Sequence, residues 1–292
     1  MKLSIISLNF RKPELTLLSM ESLYKTYKKQ FDTSAFEYII VDNHSEDDST
    51  KILSQEVKKY SNFHFVENPK NNGFGAGNNY GVKKASGKYL LFLNNDTQIQ
   101  GKGIADMVDF LDEHPEAGIV GGELKNFDGS SQSSVGKFFT LFPTMLLLLG
   151  MQRFGITDKN PKKIARVDWV KGALLMIRRD LFDKLKGFDE NIFMYTEDME
   201  LCFRARNIGS QIYFYPTDGI FHKDQGSSSR TFAILNIYKN IPYFYKKHMP
   251  VWQLYIVRFF LFAKATILLI LGKITHNQYL TSTYAQAIKV LR

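Results

Sequence analysis

The run Tyr89-Leu90-Leu91-Phe92-Leu93-Asn94-Asn95-Asp96 decides the fold. An unbroken apolar stretch from Tyr89 to Leu93 leaves no polar face, so it reads as a strand covered on both sides. It ends abruptly in two amides and a carboxylate. Similar short apolar runs lie on either side: Leu3–Leu8, followed by Asn9; Tyr38–Val41, followed by Asp42-Asn43; Phe63–Glu67; and Ile119–Leu124. Helical patterns separate them, one beginning near Lys12-Pro13-Glu14 with proline in the first turn, then Ala76–Ala85 and Gly103–Glu113. Strands alternating with helices predict an α/β domain with a mostly parallel central sheet flanked by helices. Ligands of such sheets sit at the carboxyl ends of the strands. Three of those ends carry polar clusters: Asn9; Asp42 and Asn43 with Ser45; and Asn94, Asn95 and Asp96.

Beyond this core the pattern loosens. Residues 126 to 166 read as an irregular, mobile or acceptor-facing region holding the apolar stretch Phe142–Gly150. Val167–Arg178 reads as a strand, Asp180–Lys186 and Glu197–Asn207 as helices, and Gln211–Tyr215 as a last strand. The one cysteine, Cys202, excludes an intrachain disulfide and sits in an apolar helical pattern that suits an inert core thiol. No secretory leader is apparent at Met1–Leu8, and a cytoplasmic protein is the simplest expectation.

Charge divides the 292 residues sharply. Met1 to His222 holds 28 basic and 28 acidic residues, whereas Lys223 to Arg292 holds 10 basic residues and one acid, Asp224. A basic tail suits nucleic acid or an anionic membrane. The apolar runs Tyr255–Ile256, Phe259–Phe262 and Ile267–Leu271 within it argue for the membrane and against nucleic acid. The expected division is residues 1–230 as the α/β domain and residues 231–292 as a helical tail. Val251–Gly272 is long enough to span a bilayer, but Arg258 and Lys264 favour a helix lying in the interface with its cations snorkelling.

Four groups of residues carry chemistry. Asp42, at a strand end, can accept a hydrogen bond from a base or a ribose; the alternative is a plain Asp-Asn turn. Asn72-Gly73-Phe74-Gly75-Ala76-Gly77-Asn78 is a glycine-rich loop opening a helix, a place where backbone amides can approach a diphosphate. It matches neither the Walker loop nor the dinucleotide fingerprint. Asp96 is the natural oxygen ligand for Mg²⁺ or Mn²⁺, with Asn94 and Asn95 as neutral hydrogen-bonders. His222, ahead of the polar Gln225–Ser229 run, is the candidate second ligand. Glu197 and Asp198 open a helix, where acids stabilise the dipole but could also take a proton from an attacking hydroxyl. Glu200 stands close behind.

In order and spacing these residues resemble family 2 glycosyltransferases of the GT-A fold, above all the bacterial rhamnosyltransferase-like branch. The resemblance runs from Leu3 to about Arg230. It rests on Ser7-Leu8-Asn9-Phe10, Val41-Asp42-Asn43-His44-Ser45, the segment from Asn68 to Asn79, Leu93-Asn94-Asn95-Asp96, Trp169-Val170-Lys171-Gly172-Ala173, Gly187-Phe188-Asp189-Glu190, Tyr195-Thr196-Glu197-Asp198 and His222. The resemblance implies that Asn9, Asp42, Asn43 and Ser45 contact the nucleoside. It implies that Gly73, Phe74, Gly75 and Asn78 line the nucleotide pocket beside Asn94 and Asn95, and that Trp169, Gly172 and Ala173 shape the sugar and acceptor site. Asp96 and His222 would hold the metal, Asp198 would be the catalytic base, and Glu197 would assist it. Where the family's metal motif often has two acids, this chain has asparagines at Asn94 and Asn95.

The implied function is inverting transfer of a sugar, L-rhamnose from dTDP-rhamnose being favoured, to a lipid-linked or polysaccharide acceptor at the inner face of the cell membrane. UDP-hexose and UDP-galactofuranose donors stay open, as does a non-catalytic nucleotide-sugar-binding protein. Anionic membrane contact is assigned to residues 243–292, and homo-oligomerisation is left open. A nucleotidyltransferase is disfavoured, because Asn9-Phe10-Arg11-Lys12-Pro13 holds no glycine-rich activating loop.

Overall fold

The computed structural model describes residues 1–150, 158–223 and 229–291. Part of the irregular region before residue 166, all but Ser229 of the Gln225–Ser229 run, and the final Arg292 lie outside the described residues. The chain divides into two units. The first comprises Met1–Gly136, Lys159–Phe193 and the described part of Glu197–Gln225. The second comprises the described residues of Lys137–Asp158, Met194–Thr196 and the chain from Ser229 onward. The second unit therefore draws on more than the expected 231–292 tail.

The first unit opens with β1 (Leu3–Asn9), α1 (Pro13–Asp32), β2 (Phe36–Asp42), α2 (Ser49–Glu56), β3 (Phe63–Glu67), α3 (Phe74–Val82), β4 (Tyr89–Leu93), β5 (Thr97–Ile99) and α4 (Gly103–Glu113). There follow β6 (Ala117–Gly122), β7 (Leu124–Lys125), β8 (Ser131–Gln132) and β9 (Val135–Gly136). After α5 (Leu141–Leu148), which belongs to the second unit, come β10 (Ala165–Arg166), β11 (Trp169–Val170), β12 (Leu174–Arg178), α6 (Arg179–Lys184), α7 (Glu197–Asn207), β13 (Gln211–Tyr215) and β14 (Ile220–His222).

The central sheet has the order β10-β13-β6-β12-β4-β1-β2-β3. β4, β1, β2 and β3 run parallel, as do β13 and β6, while β12 enters antiparallel between β4 and β6. The expected mostly parallel α/β sheet is present. β4 and β2 are buried along their whole length and β1 at all but Leu8, which is why they read as apolar runs. On α1 the buried residues Met20, Leu23, Tyr27 and Phe31 recur every three or four positions, the spacing of a helix laying one face on a sheet.

Val167–Arg178, strand-like throughout in sequence, is two strands in the structure: Lys171-Gly172-Ala173 interrupts it between β11 and β12. β12 continues the central sheet, whereas β11 pairs with β9 in a separate ribbon, where the Trp169 indole covers Gly136. A second small sheet, β5-β14-β7-β8, forms beside the carboxyl end of β4.

The second unit is helical: α5, α8 (Arg230–His248), α9 (Val251–Ile274) and α10 (Gln278–Leu291). α9 turns Val257, Leu261, Ala265 and Gly272 inward and leaves Trp252, Tyr255, Phe259, Ile267 and Ile274 exposed. It is long and apolar enough to cross a membrane by length and composition. Arg258 is exposed and donates to the carbonyl of Leu291 at the end of α10. In the same unit the buried Asn240 amide donates to the carbonyls of Met194 (2.9 Å) and Tyr195 (2.7 Å). These accompany a left-handed pair, Tyr195 at φ 67° and Thr196 at φ 78°. A β-branched residue at positive φ is strained and must be held there by its surroundings.

Candidate functional site

Parallel pairing of β1 with β2 sets Asn9 opposite Asp42. Asp42 is buried, and its carboxylate accepts hydrogen bonds from the Asn9 amide (2.7 Å), the Ser45 hydroxyl and backbone N–H, and the Thr50 hydroxyl. Its acceptor directions are filled from within the chain. A nucleoside hydrogen bond to Asp42 must therefore replace one of these donors, and the residue's first effect is to organise the pocket. Asn43 builds a second network: its Oδ1 accepts from the Asn68 amide (2.7 Å), and its Nδ2 donates to Asn71 Oδ1 (3.0 Å).

The glycine-rich loop meets this network from the other side. Gly73 sits at φ 101°, and a Cβ there would lie 1.9 Å from the Phe193 carbonyl oxygen. Within α3, a Cβ on Gly77 would strike Asn43 and Leu8, and one on Gly81 would strike Val41 and Ile6. These glycines bring the helix down onto β1 and β2. The N–H of Phe74 at the helix start donates to the Phe193 carbonyl (2.8 Å), so it is not aimed at a ligand. Asn78 is buried and donates to its own helix at Phe74. Asn79 exchanges hydrogen bonds with the backbone of Phe188 and fixes the Gly187–Glu190 segment against α3.

Thr16 joins the Asn9–Asp42 network to the end of β4. Its hydroxyl donates to Asn9 Oδ1 (2.9 Å) and accepts from the Asn95 amide (2.8 Å). From β4 the chain turns through Asn94 and Asp96 into β5, and antiparallel pairing of β5 with β14 places Thr97 opposite His222. His222 Nε2 then lies 3.1 Å from Asp96 Oδ1 and 3.2 Å from Asn94 Nδ2. Asp96 Oδ1 is buried without a hydrogen bond among the described residues, so its approach to His222 is a close contact lacking hydrogen-bond geometry.

Two basic atoms facing each other at this distance suit a shared cation. Adjacent ligands of an octahedral ion with bonds of ~2.1 Å stand about 3 Å apart. Asp96 and His222 therefore fit a hard divalent metal as two neighbouring ligands. No cluster of three or more His, Cys, Asp or Glu occurs among the described residues, so phosphate and water oxygens would have to complete the shell. A cavity beside Asp96 is lined by Leu15, Leu18, Gln98, Phe127 and Lys223, and the Lys223 N–H donates to the Asp96 carbonyl (3.1 Å).

The break between β11 and β12 carries the connection onward. The Ala173 carbonyl accepts from the Asn94 N–H (3.1 Å), and the Gly172 N–H donates to Asp198 Oδ2 (2.9 Å). Phe74 packs over Gly172, since a Cβ there would lie 3.2 Å from its ring and 3.4 Å from Asp198. Asp198, Gly172, Ala173, Asn94, His222 and Asp96 thus form one continuous chain of contacts at the carboxyl end of β4.

The two acids at the start of α7 differ. Glu197 is buried and its Oε2 has no hydrogen-bond partner among the described residues, whereas Asp198 is half-buried. Burial pushes both carboxyls above the ordinary range, with the Asp198 charge adding to the effect on Glu197. Asp198 is held back by the N–H groups of Gly172 and Met199 and by the nearby Lys171 charge. Of the two, Asp198 is the one whose ionised form these contacts support, and Glu197 the one pushed further toward its neutral form. Glu200 serves the scaffold instead. Wholly buried, it takes the Arg204 guanidinium through both oxygens, while Arg204 also caps the Leu185 and Gly187 carbonyls. Burial likewise pushes the Cys202 thiol far up and keeps it inert.

Asn68, Asn71 and Asn79 lie in the Asn68–Asn79 segment singled out by the sequence but with no role assigned there, whereas Thr16 and Gln132 join the site without a sequence signal of their own. Thr16 lies on an ordinary amphipathic helix, and Gln132 falls in a stretch whose sequence has no regular pattern.

The Glycosyl transferase family 2 model matches residues 4–185. A low-salt glycan biosynthesis hexosyltransferase of Haloferax volcanii, Agl10, is 25% identical over 219 residues, covering 71% of this chain and 64% of the relative. An N-acetylglucosaminyl-diphospho-decaprenol L-rhamnosyltransferase of Mycobacterium tuberculosis is 25% identical over 215 residues, covering 66% of this chain and 68% of the relative. Among solved structures, a mannosyltransferase of Pyrobaculum calidifontis in complex with GDP-mannose and Mn²⁺ superposes with a TM-score of 0.59 at 14% identity, over 99% of this chain and 85% of that one. The fold is therefore GT-A.

Proposed function

The chain belongs to glycosyl transferase family 2, and from that premise we propose that it is an inverting glycosyltransferase moving L-rhamnose from dTDP-rhamnose to a lipid-linked acceptor. The observation that carries the reading is the continuous path from Asp198 through Gly172, Ala173 and Asn94 to His222 and Asp96. It sets a carboxylate that can take a proton beside a pair that can hold a metal.

In this mechanism the acceptor hydroxyl gives its proton to Asp198, whose lone pairs are directed by the Gly172 and Met199 N–H groups. The oxygen attacks the anomeric carbon from the face opposite the diphosphate, and the configuration inverts. Neutral Glu197 keeps a second charge away from that point. A divalent cation held by Asp96 and His222 would neutralise the charge that develops on the leaving diphosphate. The Asn9–Asp42–Ser45 and Asn43–Asn68 networks shape the nucleoside pocket, while Trp169, Gly172 and Ala173 bound the sugar.

The mycobacterial relative is named for rhamnose transfer to a decaprenol-linked sugar, which supports both the donor and the acceptor class. The tail agrees in kind. α9 exposes Trp252, Tyr255 and Phe259 on a segment that carries Arg258, Lys264 and Lys273 and no acid, as suits an anionic bilayer surface. We place the protein at the cytoplasmic face of the membrane. The haloarchaeal relative, named a hexosyltransferase, keeps a UDP-hexose donor as the second reading. A donor screen following nucleoside diphosphate release, with a polyprenyl-diphosphate sugar as acceptor, tests the assignment. dTDP-rhamnose should lead; a leading UDP-hexose selects the second reading; no acceptor-dependent release with any donor overturns both.

A further inference from the structure

We propose that Gln132 is a positioning residue that locks His222 in the tautomer with its proton on Nδ1, committing the Nε2 lone pair to the cation beside Asp96. The inference rests on the metal-site reading above and deepens it.

Each hydrogen bond leading to His222 has a fixed direction. Gln132 on β8 is 7% exposed, and its side chain faces three polar atoms. Its Nε2 lies 2.8 Å from the His222 carbonyl and 2.6 Å from Asn126 Oδ1. A carbonyl can only accept, so the amide nitrogen of Gln132 must point there. The amide oxygen is then left facing His222 Nδ1 at 2.9 Å, and Nδ1 must be the protonated nitrogen.

A second line of bonds gives the same answer. The Asp128 carboxylate is held below the ordinary range by the Ser130 hydroxyl and N–H, and as a carboxylate it can only accept. Ser130 therefore donates its hydroxyl proton to Asp128 (2.6 Å) and accepts from Asn126 Nδ2 (2.8 Å). That turns Asn126 Oδ1 toward Gln132 Nε2. The two constraints on the Gln132 amide agree, although they start from unrelated acceptors.

With Nδ1 protonated, His222 Nε2 is an acceptor, and in the structure it takes the Asn94 amide, a bond that a cation would displace. It faces Asn94 Nδ2 at 3.2 Å and Asp96 Oδ1 at 3.1 Å, the latter without a hydrogen bond among the described residues. An outer partner on one ring nitrogen is the usual way a protein orients a metal-binding imidazole and raises its basicity. Here that partner is a neutral amide, itself fixed by a turn exposed on the surface.

The test uses the full-length protein labelled with ¹⁵N-histidine. Two-bond ¹H–¹⁵N correlation at about pH 8.5, above the ordinary imidazole range, reads the tautomer of His222, assigned by comparison with His222→Ala. The Nδ1-protonated pattern is expected. An Nε2-protonated or doubly protonated ring overturns the proposal, whatever any variant does. Mn²⁺ binding is then followed by loss of the free-ion electron paramagnetic resonance signal, with nucleoside diphosphate present. Gln132→Met, which removes the acceptor, should weaken Mn²⁺ binding about 10- to 100-fold and release the tautomer preference. Unchanged affinity and tautomer in Gln132→Met sinks the inference alone. Unchanged affinity in His222→Ala sinks the metal-site reading and the inference with it.

Discussion

Replacing Asp198 by asparagine should stop turnover while leaving the nucleotide pocket intact. The carboxylate accepts two backbone hydrogen bonds, from Gly172 on Oδ2 (2.9 Å) and from Met199 on Oδ1 (2.8 Å). An asparagine offers one acceptor and one donor group, so it keeps one of these bonds and turns its NH₂ toward the other N–H. A buried donor left unmet costs about 1–3 kcal/mol. Against that, the substitution removes a charge that burial disfavours. The two effects oppose each other, so the melting point should stay within about 5 °C of the parent. Catalysis has no such offset. Loss of a general base removes roughly 10²–10⁴ in rate, equivalent to ~2.7–5.5 kcal/mol of barrier. The assay pairs nucleoside diphosphate release in the presence of lipid-linked acceptor with calorimetric titration of the nucleotide. kcat should fall by at least about a hundredfold, with nucleotide affinity unchanged within about twofold. A variant that folds, binds nucleotide and turns over within about threefold of the parent would refute the assignment of the base.

Three further outcomes follow from the same geometry. Glu197→Gln should raise the melting temperature near neutral pH. The folded carboxyl titrates above its unfolded value, so the folded state binds the extra proton, and native stability falls as pH rises through that window. The gain from glutamine should therefore grow as pH rises above the ordinary carboxylate range and fade as pH falls into it; melts that show no pH-dependent gain would contradict the buried-acid account. Asp96→Ala should weaken nucleoside diphosphate binding about tenfold or more when Mn²⁺ is present, and by little without metal; equal affinities under both conditions in parent and variant would remove Asp96 from metal binding. Trp252→Glu with Phe259→Glu, at two exposed positions of α9, should reduce co-flotation with anionic liposomes by at least ~tenfold; undiminished flotation would exclude this face as the membrane surface.

The parallel half of the sheet is legible in the sequence because β1, β2 and β4 are buried on both faces, and such strands announce themselves as apolar runs. Glu197–Asn207 and Gln211–Tyr215 have the bounds expected, since an acid-led amphipathic helix and a short alternating strand both have clear ends. The break at Lys171–Ala173 is hidden, because Val167–Arg178 carries strand-like residues throughout. What divides it is tertiary: Gly172 turns toward Asp198, and Ala173 accepts a hydrogen bond from Asn94.

The glycines of the Asn72–Asn78 loop stand out in the sequence for a plausible chemical reason, close approach to phosphate. At Gly77, as at Gly81 further along α3, the close approach is instead to side chains on β1 and β2 and the loop after β2. Composition cannot separate these two uses of glycine. Polar networks are the least legible part. Thr16 and Gln132 act through partners distant in the chain, Asn95 for the one, His222 for the other. Such partners become neighbours only after α1 has packed on the sheet and β5 has paired with β14.

Single displacement driven by Asp198 makes a stereochemical claim, and the anomeric configuration of the transferred sugar tests it most directly. The purified product can be read by NMR from the coupling constants of the anomeric position, with the donor as reference. The account predicts a linkage opposite in configuration to the donor, formed by the parent enzyme and lost with Asp198→Asn. A product that retains the donor's configuration would contradict it.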